Sequence, residues 1–137
     1  MHHTISVLVV NQSGVLSRIS GLFSGRGFNI ESLNVAETND SGISRMTIVT
    51  RGDDKKIEQI TKQLNKLVDV IKVIDLTEEN FVDRELILVK MNAEVRVREE
   101  ILRIVDIFRA KVIDVSPDTY TVEITGDEGK TKGFLDL

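Results

Sequence analysis

The residues best placed to do chemistry lie in Val9-Val10-Asn11-Gln12-Ser13-Gly14-Val15-Leu16, where a β-branched strand stops and a helix begins through a short polar turn. The first amides of a helix lack intrahelical partners and carry about half a positive charge, so such a turn suits a carboxylate or a phosphate. Gly14 has no side chain, which lets a small ligand come close to the backbone. Asn11 offers an amide that both donates and accepts, matched to a zwitterion bearing carboxylate and ammonium together. The same residues also fit a purely structural reading, in which Ser13 or Gly14 caps the helix and Asn11 closes an Asx-turn. The corresponding turn downstream, Met91-Asn92-Ala93-Glu94-Val95-Arg96, has no glycine and carries an acid that would repel an anion. Only the first turn therefore reads as ligand-competent.

Little else in the chain could react. Its 137 residues include no cysteine, which excludes disulfides, thiolate catalysis and zinc-thiolate or iron-sulfur centres. The two histidines, His2 and His3, sit at the extreme N-terminus, a position expected to fray. No interior imidazole is expected for base catalysis or metal ligation, and no metal site is read. Gly21, Gly25 and Gly27 lie inside and after a helix rather than between strand and helix, so they form no dinucleotide fingerprint. No spacing of carboxylates singles out a catalytic pair. The run Arg96, Arg98, Glu99, Glu100, Arg103 reads as a solvated helix face. With 22 acidic against 18 basic residues and a net charge of −4, the balance argues against nucleic acid. The apolar stretch Ile5 to Val10 is far short of the roughly 18 residues of a membrane span, and no basic leader precedes it, so the expected location is cytoplasmic.

The elements that must position the turn follow from hydrophobic spacing. Thr4 to Val10 reads as a strand, and Val15, Leu16, Ile19, Leu22 and Phe23 recur at helical spacing until Gly25-Arg26-Gly27. Phe28 to Thr38 and Ile43 to Thr50 form a hairpin about Asn39-Asp40-Ser41-Gly42. Asp53 and Asp54 open a second helix, with Ile57, Ile60, Leu64 and Leu67 on one face, before a fourth strand from Val68 to Leu76. The order is βαββαβ, an antiparallel sheet with both helices on one face. After Thr77-Glu78-Glu79-Asn80 the pattern begins again, with Leu86 to Met91, a helix face of Val97, Ile101, Ile104, Val105 and Phe108, and a strand from Tyr120 to Thr125. Phe23 to Ile30 lines up without gaps on Phe108 to Val115. The expectation is an α+β protein of two ferredoxin-like units, residues 1–77 and 78–137, the second truncated because the sequence stops before a fourth strand. Apolar residues on both sides of the first strand call for cover on the sheet's open face, by oligomerisation or by the two units packing together.

The opening run from His3 to Ile19, continued by Leu22-Phe23-Ser24-Gly25-Arg26-Gly27-Phe28-Asn29-Ile30-Glu31-Ser32-Leu33, closely resembles the regulatory small subunits of acetolactate synthase (acetohydroxyacid synthase), whose N-terminal half is an ACT domain. Asn80 to Lys90 and Thr125-Gly126, with Lys130 and Phe134, resemble that family's second domain. The resemblance implies a homodimer formed through the ACT domains, with a free amino acid, usually valine, between two chains. Asn11, Gly14, Val15 and Leu16 would hold its carboxylate, while Asn29 and Ile30 of the second chain would meet the ammonium side and line the apolar pocket. It implies no catalytic residue and no cofactor in this chain. Thiamine diphosphate, magnesium and FAD belong to the catalytic large subunit, the partner expected to be activated and feedback-inhibited in branched-chain amino acid biosynthesis. Three other readings share the βαββαβ order: a stand-alone ACT-type amino-acid sensor, an acylphosphatase-like enzyme with Arg18 or Arg26 as phosphate clamp, and an RNA-binding module. The last lacks aromatic residues on Ile43 to Thr50 for base stacking.

Overall fold

The computed structural model describes residues 2–78 and 80–137, and the chain divides into two compact units, Met1–Phe81 and Val82–Leu137. In the first, the order is β1 (His2–Val10), α1 (Val15–Gly25), β2 (Ile30–Glu37), β3 (Ile43–Arg51), α2 (Asp54–Asn65) and β4 (Val70–Asp75), followed by a short 3-10 turn at Leu76–Glu78. The strands form one antiparallel sheet in the order β2-β3-β1-β4, so β2 and β4 are its edges.

Alternation along the strands selects the covered face. Ile5, Val7 and Val9 of β1 and Met46 and Ile48 of β3 are buried in one core with Val15, Ile19 and Phe23 of α1 and Ile57, Ile60 and Leu64 of α2. The open face is mixed, with Leu8 paired to Arg45, Ser6 to Thr47 and Thr4 to Val49. Helix α2 starts where the Asp53 carboxylate accepts from the Lys56 amide at 2.8 Å, a cap worth about 1 kcal/mol. Helix α1 stops at Gly27, whose φ of 76° lets the Gly27 and Phe28 amides turn back to the carbonyls of Ser24 and Phe23.

The second unit comprises β5 (Glu85–Asn92), a 3-10 turn (Val95–Val97), α3 (Arg98–Ile107), β6 (Lys111–Val115), β7 (Thr119–Gly126) and α4 (Glu128–Asp136). Its sheet has three strands in the order β5-β7-β6. Val105, Val122, Ile124 and Phe134 form the core, with Ile87, Val89 and Met91 packed against it. Asp127 caps α4 through the Lys130 amide at 2.8 Å.

Two expectations are corrected. The terminus is not frayed: β1 begins at His2, and His3 pairs with Thr50 across the ladder. That register turns the His3 ring into the helix-covered side, where it is 2% exposed and its Nδ1 lies 2.9 Å from Asp75 Oδ2. An interior imidazole therefore exists. The gap-free match of Phe23 to Phe108 is also out of step. Helix α3 ends on Arg109, at φ 55°, with the Ala110 amide bonded to the Val105 carbonyl, as Phe28 is bonded to Phe23 in α1. Each following strand then breaks register near its start, between Ile30 and Ser32 in β2 and between Val112 and Asp114 in β6. Phe23 is thus the counterpart of Val105, and Ile30 of Val112.

Candidate functional site

The turn between β1 and α1 is held by its ends. The Val10 amide donates to the Asp69 carbonyl at 2.8 Å and the Asn11 amide to the Gly42 carbonyl at 2.9 Å, fixing the chain between the start of β4 and the β2–β3 hairpin. Residues Asn11, Gln12, Ser13 and Gly14 are all exposed. Gly14 is the N-cap of α1 at φ 88° and ψ −14°, and no side chain caps the helix. A residue with a Cβ is strained at that φ, and of the two caps that the structural alternative offered, Ser13 and Gly14, it is Gly14 that takes the position, leaving the helix start without a side-chain cap. Ser13 does not serve as the cap.

The predicted residues divide by what they present. Asn11 Nδ2 donates to Glu37 Oε1 at 3.1 Å and to the Ser41 carbonyl at 2.9 Å, so its amide hydrogens brace the hairpin and only Oδ1 is left to accept from a ligand. Val15 is 3% exposed and its side chain belongs to the core, leaving its backbone at the turn. Leu16 is 45% exposed and points outward. Asn29 is exposed, with its carbonyl accepting from Thr50 Oγ1 at 2.8 Å, and Ile30 packs half-buried against the core.

One chain does not bring the two groups together. Ile30 lies opposite Thr50, which lies opposite His3 near the start of β1, whereas Asn11 follows Val10 at its other end. The seven-residue step from His3 to Val10 corresponds to roughly 23 Å of strand. Edge strand β2 is meanwhile exposed from Glu31 to Glu37, including Leu33 and Val35.

Arg18, the candidate clamp of the acylphosphatase-like reading, does stand beside this turn, but with a partner that the sequence pattern did not single out. It lies one turn into α1, and its Nη1 stands 3.0 Å from where a Cβ on Gly14 would be. Its Nε and Nη2 contact Asp69 Oδ2 at 2.8 and 2.6 Å, with the Arg18 and Asp69 side chains 50% and 21% exposed. The partner is 51 residues away, which is why spacing gave no signal. A guanidinium committed to Asp69 is a poor phosphate clamp. Arg26 caps the opposite end of α1, about 16 Å along the helix, which weakens the acylphosphatase-like reading.

Residues 5–72 match the family model described as the acetohydroxyacid synthase small subunit-like ACT domain, and residues 84–137 match the model for the small subunit of acetolactate synthase. The chain is 54% identical over 137 residues to a probable acetolactate synthase small subunit of Archaeoglobus fulgidus, covering all of this chain and 86% of that one. It is 53% identical over 135 residues to the acetolactate synthase isozyme 3 small subunit of Escherichia coli, covering 98% and 83%. The crystal structure of the acetolactate synthase small subunit from Thermotoga maritima superposes with a TM-score of 0.92 at 45% identity, covering 100% and 86%. This chain belongs to the acetolactate synthase small-subunit family, and its first unit is an ACT domain. Among the described residues no helix is long and apolar enough to cross a membrane.

Proposed function

We propose that the chain is the regulatory, non-catalytic subunit of an acetolactate synthase, and that it senses a branched-chain amino acid, valine foremost, at the turn between β1 and α1. The observation that carries this reading is a helix start left without a side-chain cap, opened by Gly14 at positive φ. Such a start offers amide donors and positive potential to the effector's carboxylate. Asn11 Oδ1 is free to accept from an ammonium group, and Leu16 supplies apolar surface beside it. Asn29 and Ile30 would come from a second copy, because in one chain they sit at the far end of the sheet. The exposed edge of β2 suits side-by-side pairing of two ACT domains.

Regulation then follows from differential affinity. An effector shifts the assembly only as far as it binds one arrangement more tightly than the other. The partner is a catalytic large subunit carrying thiamine diphosphate, magnesium and FAD, which this chain activates without effector and inhibits with it. A pocket that reads one methylene separates valine from leucine or isoleucine by only about 1–3 kcal/mol, so partial overlap is expected.

The test is a mixing assay with a cognate large subunit, with and without each branched-chain amino acid, alongside thermal melting of the isolated chain. Valine at 100 times its Kd should stabilise the chain by about 2.7 kcal/mol. Absence of any shift at millimolar valine, or an unaltered rate in the mixed assembly, removes the proposal. A stabilised chain that leaves the large subunit's rate unchanged would favour the stand-alone sensor.

A further inference from the structure

His3 was expected at a loose terminus and lies instead at the inner wall of an open cleft of about 610 Å³ at the start of α2, remote from the Asn11 turn. Asp54, Glu58, Thr61, Lys62 and Asp75 also line this cleft. The His3 Nδ1 contact with Asp75 Oδ2, at 2.9 Å, places the ring proton on Nδ1, since a carboxylate can only accept. In the neutral ring Nε2 is then a lone pair. It is buried with no hydrogen-bond partner among the described residues and faces Asp54 Oδ1 at 3.7 Å. In the neutral ring two acceptors confront each other across a gap too long for a hydrogen bond. A buried polar atom of this kind calls for a partner.

We propose that His3 Nε2 and Asp54 form a site for one divalent transition-metal ion of the zinc class, with Asp75 orienting the ring from behind. Two bonds of about 2.0–2.2 Å at a tetrahedral ion span roughly 3.4 Å between donor atoms, close to the observed gap. A carboxylate on the second ring nitrogen is the arrangement that fixes the tautomer and raises the basicity of a ligating histidine. The Asp54 side chain is 89% exposed, so it can swing aside to admit the ion. Glu58 stands one helical turn further along α2 and is paired with Lys62 at 3.2 Å. Among the described residues no three such ligands stand ready-made around one point. The ion therefore takes two protein donors and completes its shell with water. It would tie the first turn of α2 to β1 and, through Asp75, to β4.

The experiment is calorimetric titration of zinc chloride into the full chain near neutral pH in a non-chelating buffer, with melting recorded in parallel. The expected result is one ion per chain at micromolar affinity and a raised Tm. Asp54→Asn and His3→Gln should each weaken binding at least about tenfold, and Asp75→Asn about ten- to a hundredfold. His2→Ala should change it less than about twofold. Should His3→Gln fail to fold, Asp54→Asn decides, because its side chain is exposed. No saturable binding, binding unmoved by Asp54→Asn, or binding lost with His2→Ala would each overturn the site.

Discussion

In the first unit the chain leaves β1 with the Asn11 amide on the Gly42 carbonyl at 2.9 Å; in the second it leaves β5 with the Ala93 amide on the Asp118 carbonyl at 2.7 Å. The backbone path is shared, and the side chains reverse its use. Ala93 is fully buried where Asn11 is exposed. Arg98, the counterpart of Leu16, donates from Nε to the Ala93 carbonyl at 2.9 Å and also bonds the Pro117 carbonyl. Its guanidinium carbon lies 5.5 Å from the centre of the Tyr120 ring. A 3-10 turn, with Arg96 paired to Glu94, precedes α3 where Gly14 opens α1. Closure of one copy by an arginine strap, against the uncapped glycine of the other, teaches that the fold tolerates either and that the open form needs another reason to exist.

The largest effect that tests this equivalence is in the cores. Phe23→Ala removes a fully buried ring and should cost about 3–5 kcal/mol, while Val105→Ala at the matching position should cost about 2 kcal/mol. Urea melts of both variants check this. A cost for Val105→Ala near zero would mean that the helices have been matched wrongly. Gly14→Asp comes next: it strains a residue at φ 88° by about 1–3 kcal/mol and sets a carboxylate where the effector's would lie. Valine stabilisation should fall at least about a hundredfold in apparent affinity, which the same titration reads. Arg96→Asp, its counterpart, should leave the valine response intact; an equal loss from both would end the division of labour.

Arg98→Ala should destabilise the second unit by about 1–2 kcal/mol through the lost carbonyl bonds and the contact with Tyr120, again without touching the valine response. Chemical denaturation separates the two readouts. If Arg98→Ala instead lowered the valine response as far as Gly14→Asp does, the strap would not be a closure confined to its own unit.

Much of this frame was legible in order along the chain. Asp53 announced its helix because a cap acts within three residues. The Gly14 turn was legible because strand, glycine and helix are consecutive. The rest depends on pairing across the sheet. His3 is interior only because β1 meets β3 in a register that sets it opposite Thr50, and the Asp75 partner is 72 residues away. The Asn11 amide could not be known as spent on Glu37 and Ser41 until the hairpin was in place. The slip of Phe23 against Phe108 arose because similar apolar letters recur at three-residue offsets on a helix, and only the terminating hydrogen bonds distinguish them.

The smallest effect addresses the open turn's own cation. Asp69 holds Arg18 beside Gly14, and both side chains are partly in water, so Asp69→Asn should cost at most about 1 kcal/mol of stability. Its sign on binding is the informative part. With Asp69 neutral, Arg18 loses its carboxylate and faces the helix start, where it adds positive potential for an incoming anion. Valine should then bind about two- to fivefold more tightly, and the gain should shrink as salt screens the charge. Weaker binding in Asp69→Asn would mean that Arg18 must be held away from the turn for the effector to enter, and the pair would then be part of the opening that the second unit lacks.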